Sequence, residues 1–261
     1  MATEFAPRSV LDDLERRSDP VRLFEQAVGA PDVWQRDVLR SDARRVLLNC
    51  SRQVGKSTTV ATLAVHCALY EPGATILIQT PGLRQSQLAF RACLRVYRAL
   101  GRPLPADAES AQRLELSNGA SITALPGTAA TTRGFSAVHT LFFDEASRVS
   151  DETYFSMRPV LATSGGRIIA ASTPFGTRGW WHAAWKSEEP WQRIEVPASA
   201  CARIPADFLA EERRTLGEWW FKQEYECSFM EDQTQAFRHA DVEAAFEEEV
   251  PQWTLHTRMS A

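Results

Sequence analysis

The sequence has no long apolar run, few cysteines and no excess of positive charge. No segment approaches the roughly 20 apolar residues of a membrane-spanning helix, and residues 1–8 lack the apolar region of a signal peptide. The five cysteines are scattered and show no paired metal-ligand spacing, so we expect reduced thiols packed as small apolar side chains. These absences predict a cytoplasmic protein that makes no membrane contact.

The charge balance is slightly acidic, with a formal net charge of -4 and a pI near 5.8. This argues against a permanent coat on nucleic acid, because sequence-independent binding depends on many Lys and Arg contacts to phosphates. Transient contact with nucleic acid through a few residues stays an alternative. Hydrophobic residues make up 44% of the 261 residues, which is enough for one large core, and there is no internal repeat.

Short apolar segments alternate with longer helical ones. Helical patterns cover residues 57–70 and 83–100, and residues 114–125 predict a β-hairpin that turns at Asn118-Gly119. Apolar segments bounded by polar residues predict strands at 45–49, 74–79, 139–143, 167–171 and 192–196. This alternation predicts an α/β fold with a mainly parallel sheet flanked by helices, whose ligands bind at the carboxyl ends of the strands.

The segment Cys50-Ser-Arg-Gln-Val-Gly-Lys-Ser57 joins the first predicted strand to a helix. Gly55 lets backbone N–H groups turn toward an anion, and the N-terminus of the following helix adds positive potential. Lys56 can reach the β and γ phosphates of a nucleotide, and the Ser57 hydroxyl can ligate Mg²⁺. Cys50 stands where the general phosphate loop has glycine, so a chance Gly-Lys-Ser loop stays an alternative on this segment alone.

A second motif reduces that alternative. Residues 141–145 form an apolar strand that ends in two adjacent carboxylates, Asp144 and Glu145. Asp144 would hold Mg²⁺, and Glu145 would polarise the attacking water. An acidic pair at a strand end is often only solvated, but both motifs together predict a site that hydrolyses a nucleotide.

Five segments occur in an order that is typical of one known family. Residues 51–57 are similar to a variant phosphate loop in which Arg-Gln precedes Gly-Lys-Ser and the first glycine is absent. Residues 143–146 are similar to its Walker B motif, and 171–174 to a coupling motif that senses the γ phosphate. Residues 132–134 resemble an arginine-finger segment, and Trp34-Gln35 lies where a glutamine reads adenine. Over residues 30–237 the chain resembles the large subunits of phage terminases, which package double-stranded DNA.

The resemblance implies a P-loop ATPase of the ASCE (RecA-like) type and roles for individual residues. Catalysis would depend on Glu145, Lys56 and Arg133, the last as a finger for a neighbouring subunit's nucleotide. Mg²⁺ would be held by Ser57 and Asp144. The ATP-binding residues would be Gln35, Ser51, Arg52, Gln53, Val54, Gly55, Lys56, Ser57, Thr58, Asp144 and Thr173. Arg52 either contacts the γ phosphate, which we favour, or pairs with an acidic neighbour.

Four arginines lie within or just after the second predicted helix, residues 83–100. Arg91, Arg95, Arg98 and Arg102 are three or four residues apart and would form one basic helical face. Such a face suits contact with DNA phosphates. A solvated face or a surface between subunits explains the same spacing equally well.

The family resemblance also implies partners and a domain division. We expect an ATPase core at residues 1–200 and a helical, acidic lid or linker at 201–261, which would lead into a nuclease domain that this sequence lacks. The chain is then either a shortened motor or a natural protein without nuclease, and we expect no DNA cleavage by it. The implied partners are double-stranded DNA, the portal of a procapsid, a small terminase subunit and further copies of the chain. A ring, a pentamer by resemblance, would assemble on the procapsid in the host cytoplasm, while the chain in solution could be a monomer.

Two other functions fit parts of the sequence. A superfamily 2 helicase-like translocase would use similar Asp-Glu-Ala and Ser-Thr-Pro motifs, but it needs a second RecA-like domain for which 261 residues leave no space. A nucleotide-switched assembly module with little turnover is the third hypothesis. The presence of Lys56, Asp144 and Glu145 argues against it.

Overall fold

The computed structural model describes residues 10–127 and 134–231. The helices are α1 (Val10–Ser18), α2 (Pro20–Ala27), α3 (Val33–Leu39), α4 (Lys56–Tyr70), α5 (Leu83–Ala99), α6 (Asp151–Met157), α7 (Gly179–Lys186) and α8 (Ala206–Tyr225). The strands are β1 (Arg45–Cys50), β2 (Thr75–Gln79), β3 (Ala106–Glu109), β4 (Arg113–Leu116), β5 (Ser121–Leu125), β6 (Thr140–Asp144), β7 (Arg167–Ser172) and β8 (Gln192–Val196). Among these helices none is long and apolar enough to cross a membrane.

The strands form one sheet in the order β3-β4-β5-β2-β6-β7-β1-β8. The six strands from β5 to β8 in this order are parallel, and β4 is antiparallel to both β5 and β3. The predicted mainly parallel sheet of the ASCE type is therefore confirmed. The order places β7 between β1 and β6, with Asn49 beside Ser172 and Asp144 beside Ala171. The carboxyl ends of the three motif-bearing strands thus meet at one edge.

Helices cover both faces of the sheet because each central strand is apolar on both sides. On β1, Val46 and Leu48 belong to one hydrophobic cluster and Leu47 to the other. The first cluster is completed by α2 to α5, and the second by α6 and α7. Parallel strands buried on both faces require this near-continuous apolar sequence.

The predicted hairpin is confirmed, and its loop contains Ser117 in addition to the predicted turn residues Asn118 and Gly119. Only Gly119 of the Asn118-Gly119 pair has a positive φ, at 80°. The Gly119 N–H donates to the Leu116 carbonyl, and the Leu116 N–H donates to Ala120, so three residues form the loop. This is the three-residue hairpin loop whose third residue is left-handed, a conformation that favours glycine.

Two other expectations differ from the structure. Helix α5 ends at Ala99, so Arg102 does not share its face and instead has a φ of 53° in the following turn. Strand β3 was not expected, because Ala-Asp-Ala-Glu has low strand propensity and lies mostly exposed at the sheet edge.

Helix α8 covers Ala206–Tyr225, within the segment predicted to be helical, and residues 227–231 after it have no regular secondary structure. Helix α8 is interrupted at Gly217, which has a non-helical φ of 75°. The described residues up to Met230 belong to one compact unit. The boundary after residue 200 and the unit 201–261 stay predictions, and residues 232–261 lie outside the described part.

Candidate nucleotide site

The loop between β1 and α4 has the backbone that its glycine allows. Gly55 has a φ of 101° and directly precedes the first residue of α4. A Cβ atom at Gly55 would lie 3.0 Å from the Gln35 amide nitrogen, so both conformation and space favour glycine. The loop thus brings Lys56, Ser57 and Thr58 to the N-terminus of a 15-residue helix, where anions are stabilised.

Asp144 and Ser57 meet at the carboxyl end of β6. The Ser57 hydroxyl donates to Asp144 Oδ2 at 3.1 Å. Burial and then the charge of Glu145 raise the pKa of Asp144, while Lys56 and the Ser57 hydrogen bond oppose this. A nearby cation stabilises a carboxylate that is buried away from water. This environment suits the predicted role of Asp144 in holding a metal ion.

Lys56 connects three of the predicted motifs. Its ammonium lies 3.2 Å from Glu145 Oε1 and donates to the Thr173 hydroxyl at 3.3 Å. Lys56 is buried, whereas Glu145 is partly exposed. Glu145 has a left-handed φ of 53°, rare for a residue other than glycine, and this turns it out of the strand direction. The structure therefore brings together the phosphate-loop lysine, the second carboxylate and the strand-end threonine.

The turn after Glu145 is bonded to the predicted coupling motif at the end of β7 by Ser147, which the sequence did not single out. Ser147 N–H donates to the Ser172 hydroxyl at 3.0 Å, and the Ser147 hydroxyl donates to the Thr173 carbonyl at 2.8 Å. Serines carry little signal in a sequence, since they are common in loops. Their role here follows only from the pairing of β6 with β7.

A cleft of about 840 Å³ opens over these groups. Among the described residues, its charged lining is three cations, Arg52, Lys56 and Arg148, and one carboxylate, Glu145. The remaining lining residues are Gln53, Gly55, Ser57, Thr58, Pro81 and Gln85. In a chain with a net charge of -4, this local positive excess favours an anionic ligand. A second cavity of about 650 Å³ includes Arg40, His139 and Arg167 in its lining and contains none of the predicted site residues.

Arg52 pairs with an acidic neighbour in this structure, one of the two predicted alternatives. Its Nε atom lies 2.5 Å from Glu224 Oε2, and its backbone N–H donates to the Glu224 carbonyl at 3.2 Å. Ser51 N–H donates to Val196, and the Val54 carbonyl accepts from Arg203 at 2.8 Å. The segment from 201 onward therefore contacts the phosphate loop at two points, and neither Arg203 nor Glu224 carried a sequence signal. Contact of Arg52 with a phosphate stays a prediction.

Gln35 is buried beside the loop. Its amide nitrogen donates to the Thr59 hydroxyl at 3.0 Å, and its oxygen accepts from the Asp32 N–H at 2.9 Å. Asp32 in turn pairs with Arg203 at 2.9 Å. These bonds anchor α3 against α4, and the adenine contact stays a prediction.

The remaining predicted residues lie away from the cleft or outside the described chain. Arg91, Arg95 and Arg98 are exposed on α5, and Arg98 and Arg102 both pair with Glu109. Their contact with DNA stays a prediction. Arg133 lies outside the described residues, so its role as a finger also stays a prediction.

Comparison with known proteins decides the family. Residues 47–244 match the family described as terminase large subunit, T4likevirus-type, N-terminal. This chain is a member of the terminase large subunit family. The terminase large subunit of Escherichia phage T5 is 25% identical to this terminase chain in an alignment of 217 residues, which covers 79% of the chain and 49% of that protein. The chain thus spans about half the length of this curated relative.

Solved structures of other large terminases share the fold of this terminase chain. The large terminase ATPase domain of Thermus phage P74-26 aligns with a TM-score of 0.70 at 20% identity, covering 81% of the chain and 99% of that domain. The bacteriophage HK97 large terminase aligns at 0.64 and 16% identity, covering 80% of the chain and 54% of that protein. The large terminase of a thermophilic bacteriophage in complex with ADP aligns at 0.63 and 11% identity, covering 76% and 54%. At these identities the likeness concerns the fold.

Proposed function

We propose that this terminase chain is an ATPase motor domain that couples ATP hydrolysis to the movement of double-stranded DNA into a procapsid. The observation that carries the proposal is the contact of Lys56 with both Glu145 and Thr173, beside the Ser57–Asp144 bond. Residues that follow three strand ends thereby meet beside one cationic cleft, which Lys56, Ser57 and Glu145 line. The names of the related proteins, large terminase ATPase domains among them, agree with this chemistry.

The residues present fit a nucleotide with Mg²⁺. The Ser57 hydroxyl and the Asp144 carboxylate are the hard oxygen ligands that Mg²⁺ prefers. Within residues 10–127 and 134–231 no group of three or more His, Cys, Asp or Glu side chains could hold a metal ion. Mg²⁺ usually takes one or two protein ligands and completes its shell with phosphates and water. When bound, the ion would neutralise charge on the phosphates.

The side chains of the cleft divide the work of hydrolysis. Lys56 and the N–H groups at the start of α4 bind the phosphates and hold them in place. Glu145 accepts a hydrogen bond from the attacking water and orients it. The Thr173 hydroxyl, at the end of β7, contacts the terminal phosphate. Loss of that phosphate would therefore change the contacts at the end of the strand. In the structure Glu145 pairs with Lys56 at 3.2 Å, which places the carboxylate beside the residue that binds the phosphates.

Several finer parts of the proposal concern the assembled motor. Arg133 would act on a neighbour's nucleotide, within a ring on the portal that also engages the small subunit in the host cytoplasm. The basic face of α5 would contact DNA. Membership of the terminase family favours this motor over a helicase-like translocase, and turnover separates it from an assembly module.

Steady-state ATP turnover against protein concentration tests the proposal, with Glu145→Gln and Arg133→Ala as variants. We expect turnover per chain to rise with concentration, because a finger from a neighbour needs assembly. Glu145→Gln should lose about 10²- to 10⁴-fold in turnover and still bind ATP. If Glu145→Gln hydrolyses ATP as fast as the wild type, the catalytic assignment is wrong. A wild type that binds ATP without turnover would favour the assembly module.

A further inference from the structure

Arg148 is a cation of the cleft to which the sequence analysis gave no role. It lines the same space as Arg52, Lys56 and Glu145. Arg52 is paired with Glu224 and Lys56 with Glu145. Within residues 10–127 and 134–231, the Arg148 guanidinium makes no direct ion pair and no hydrogen bond, although it feels the charges of Glu224 and Glu145. The cleft therefore contains an arginine whose donors are unused.

The backbone of Arg148 is held in place by the proposed catalytic segment. It ends the 3₁₀ turn Ala146–Arg148, and its N–H donates to the Glu145 carbonyl at 2.9 Å. Ser147, one residue earlier, is bonded to both Ser172 and Thr173. Arg148 is thus fixed relative to Glu145 and to the end of β7.

The side chain of Arg148 is also oriented. Its Cζ atom lies 3.3 Å from the centroid of the Phe175 ring, so the guanidinium packs against the ring. A guanidinium that packs through its face keeps its N–H donors free at the edge. Burial lowers the pKa of Arg148, while Glu224 and Glu145 oppose the shift, and arginine stays protonated at neutral pH. Partial desolvation strengthens its attraction to an anion.

We propose that Arg148 is a further nucleotide-contacting residue, which donates hydrogen bonds to the terminal phosphate of ATP bound in its own subunit. The inference rests on the proposed ATPase function and adds a contact made in cis, distinct from Arg133. The terminal phosphate is the fitting partner because the Arg148 N–H is bonded to Glu145 and the preceding Ser147 is bonded to Thr173, and we place both Glu145 and Thr173 at that phosphate. Phe175 follows Thr173-Pro174 in the chain, so loss of this phosphate would free the guanidinium to move with the segment after β7.

Nucleotide affinity tests the contact without depending on turnover. Calorimetry with Mg²⁺ would compare ATP-γ-S, which has a third phosphate group, with ADP, which lacks it. For Arg148→Ala we expect ATP-γ-S binding to weaken about tenfold or more, equivalent to about 1.4 kcal/mol. Affinity for ADP should change less than about twofold, because the proposed contact is absent there.

Two further variants separate charge from packing. Arg148→Met keeps an unbranched stem on Phe175 without the charge and should behave like Arg148→Ala. Arg148→Lys keeps the charge without the guanidinium fork and should fall between the wild type and alanine. Arg22→Ala, an exposed arginine of α2 outside the cleft, is the matched control and should leave both affinities unchanged.

The outcomes distinguish this inference from the proposed function. If Arg148→Ala weakens ATP-γ-S and ADP equally, or neither, the terminal-phosphate contact is overturned. Restoration of ATP-γ-S binding by Arg148→Met also overturns it, since packing alone would then suffice. If Lys56→Ala abolishes binding while Arg148 variants show no selective loss, only this inference fails. A wild type that binds neither nucleotide overturns both.

Discussion

At the scale of single residues, the site depends on charges that offset one another. Lys56 is buried against Glu145, and Asp144 is buried beside Ser57. Lys56 interacts with both carboxylates, and the charge of Glu145 adds to the burial of Asp144 in disfavouring its ionised form. A site of this kind is suited to a ligand that brings a metal cation together with an anion.

Asp144→Asn should raise the thermal stability of the chain in the absence of divalent cations. Burial raises the pKa of Asp144, so the folded state binds more protons than the unfolded state between the two pKa values. The folding stability of the wild type therefore falls as pH rises through that window, and this loss of stability persists at neutral pH. Asparagine removes the charge and can still accept a hydrogen bond from Ser57.

Melting temperature against pH checks the predicted stability of Asp144→Asn, and we expect its ATP turnover to fall at least about 100-fold. A variant that melts below the wild type at pH 7 would contradict it.

Gly55→Ala should weaken nucleotide binding and destabilise the fold by about 1–3 kcal/mol, the usual cost of a strained backbone at a residue other than glycine. The new Cβ would also contact the Gln35 amide at 3.0 Å. Gly29→Ala is the control, because Gly29 has a φ of 125° with nothing within 4 Å of the added Cβ. Melting curves and ADP affinity check the pair. Equal nucleotide affinity in both variants would show that the loop tolerates the substitution.

At the scale of elements, α7 supports the strand that carries Asp144. Trp180 stacks on Tyr154 with ring centroids 3.9 Å apart and packs against Phe143 of β6. Its indole N–H donates to the Val149 carbonyl at 2.9 Å. This one residue therefore links α6, α7 and β6 beneath the site.

Trp180→Ala should cost about 3–5 kcal/mol of folding free energy, because it leaves a large cavity and an unpaired carbonyl. Denaturant unfolding measures this change. Trp220→Ala on α8 is the control, since Trp220 is 48% exposed and should change stability far less. Comparable losses in the two variants would mean that α7 contributes little to the support of β6.

At the scale of the whole molecule, positive charge is local rather than general. The net charge is -4, yet three cations line the cleft, and Arg91, Arg95 and Arg98 lie exposed on α5. Arg98 shares Glu109 with Arg102, which reduces its availability. Arg91 and Arg95 are therefore the better candidates for contact with DNA phosphates.

Reversing the charge of Arg91 and Arg95 to glutamate should weaken binding to double-stranded DNA. If each contacts one phosphate, the slope of log affinity against log salt should fall by about 2 in magnitude. DNA titrations at several salt concentrations check this, with Arg22→Glu as a charge-matched control. An unchanged slope would place DNA contact elsewhere on the molecule.

The sequence alone determined the parts of this protein that depend on neighbours along the chain. The order of apolar segments predicted the parallel sheet, and the spacing of Gly55, Lys56 and Ser57 predicted the turn into α4. Asp144 and Glu145 were predicted for the same reason, because they follow an apolar strand segment directly in the sequence.

Only the tertiary structure decided which distant residues complete the site. Glu224 and Arg203 reach the phosphate loop across more than a hundred residues, and Ser147 meets Ser172 because β6 lies beside β7. Arg148 gains its orientation from Phe175, 27 positions further along the chain. Such contacts depend on strand order and on the packing of α8, and no local pattern of residues records them. The sequence thus determined where the chemistry lies, and the fold decided which charges surround it.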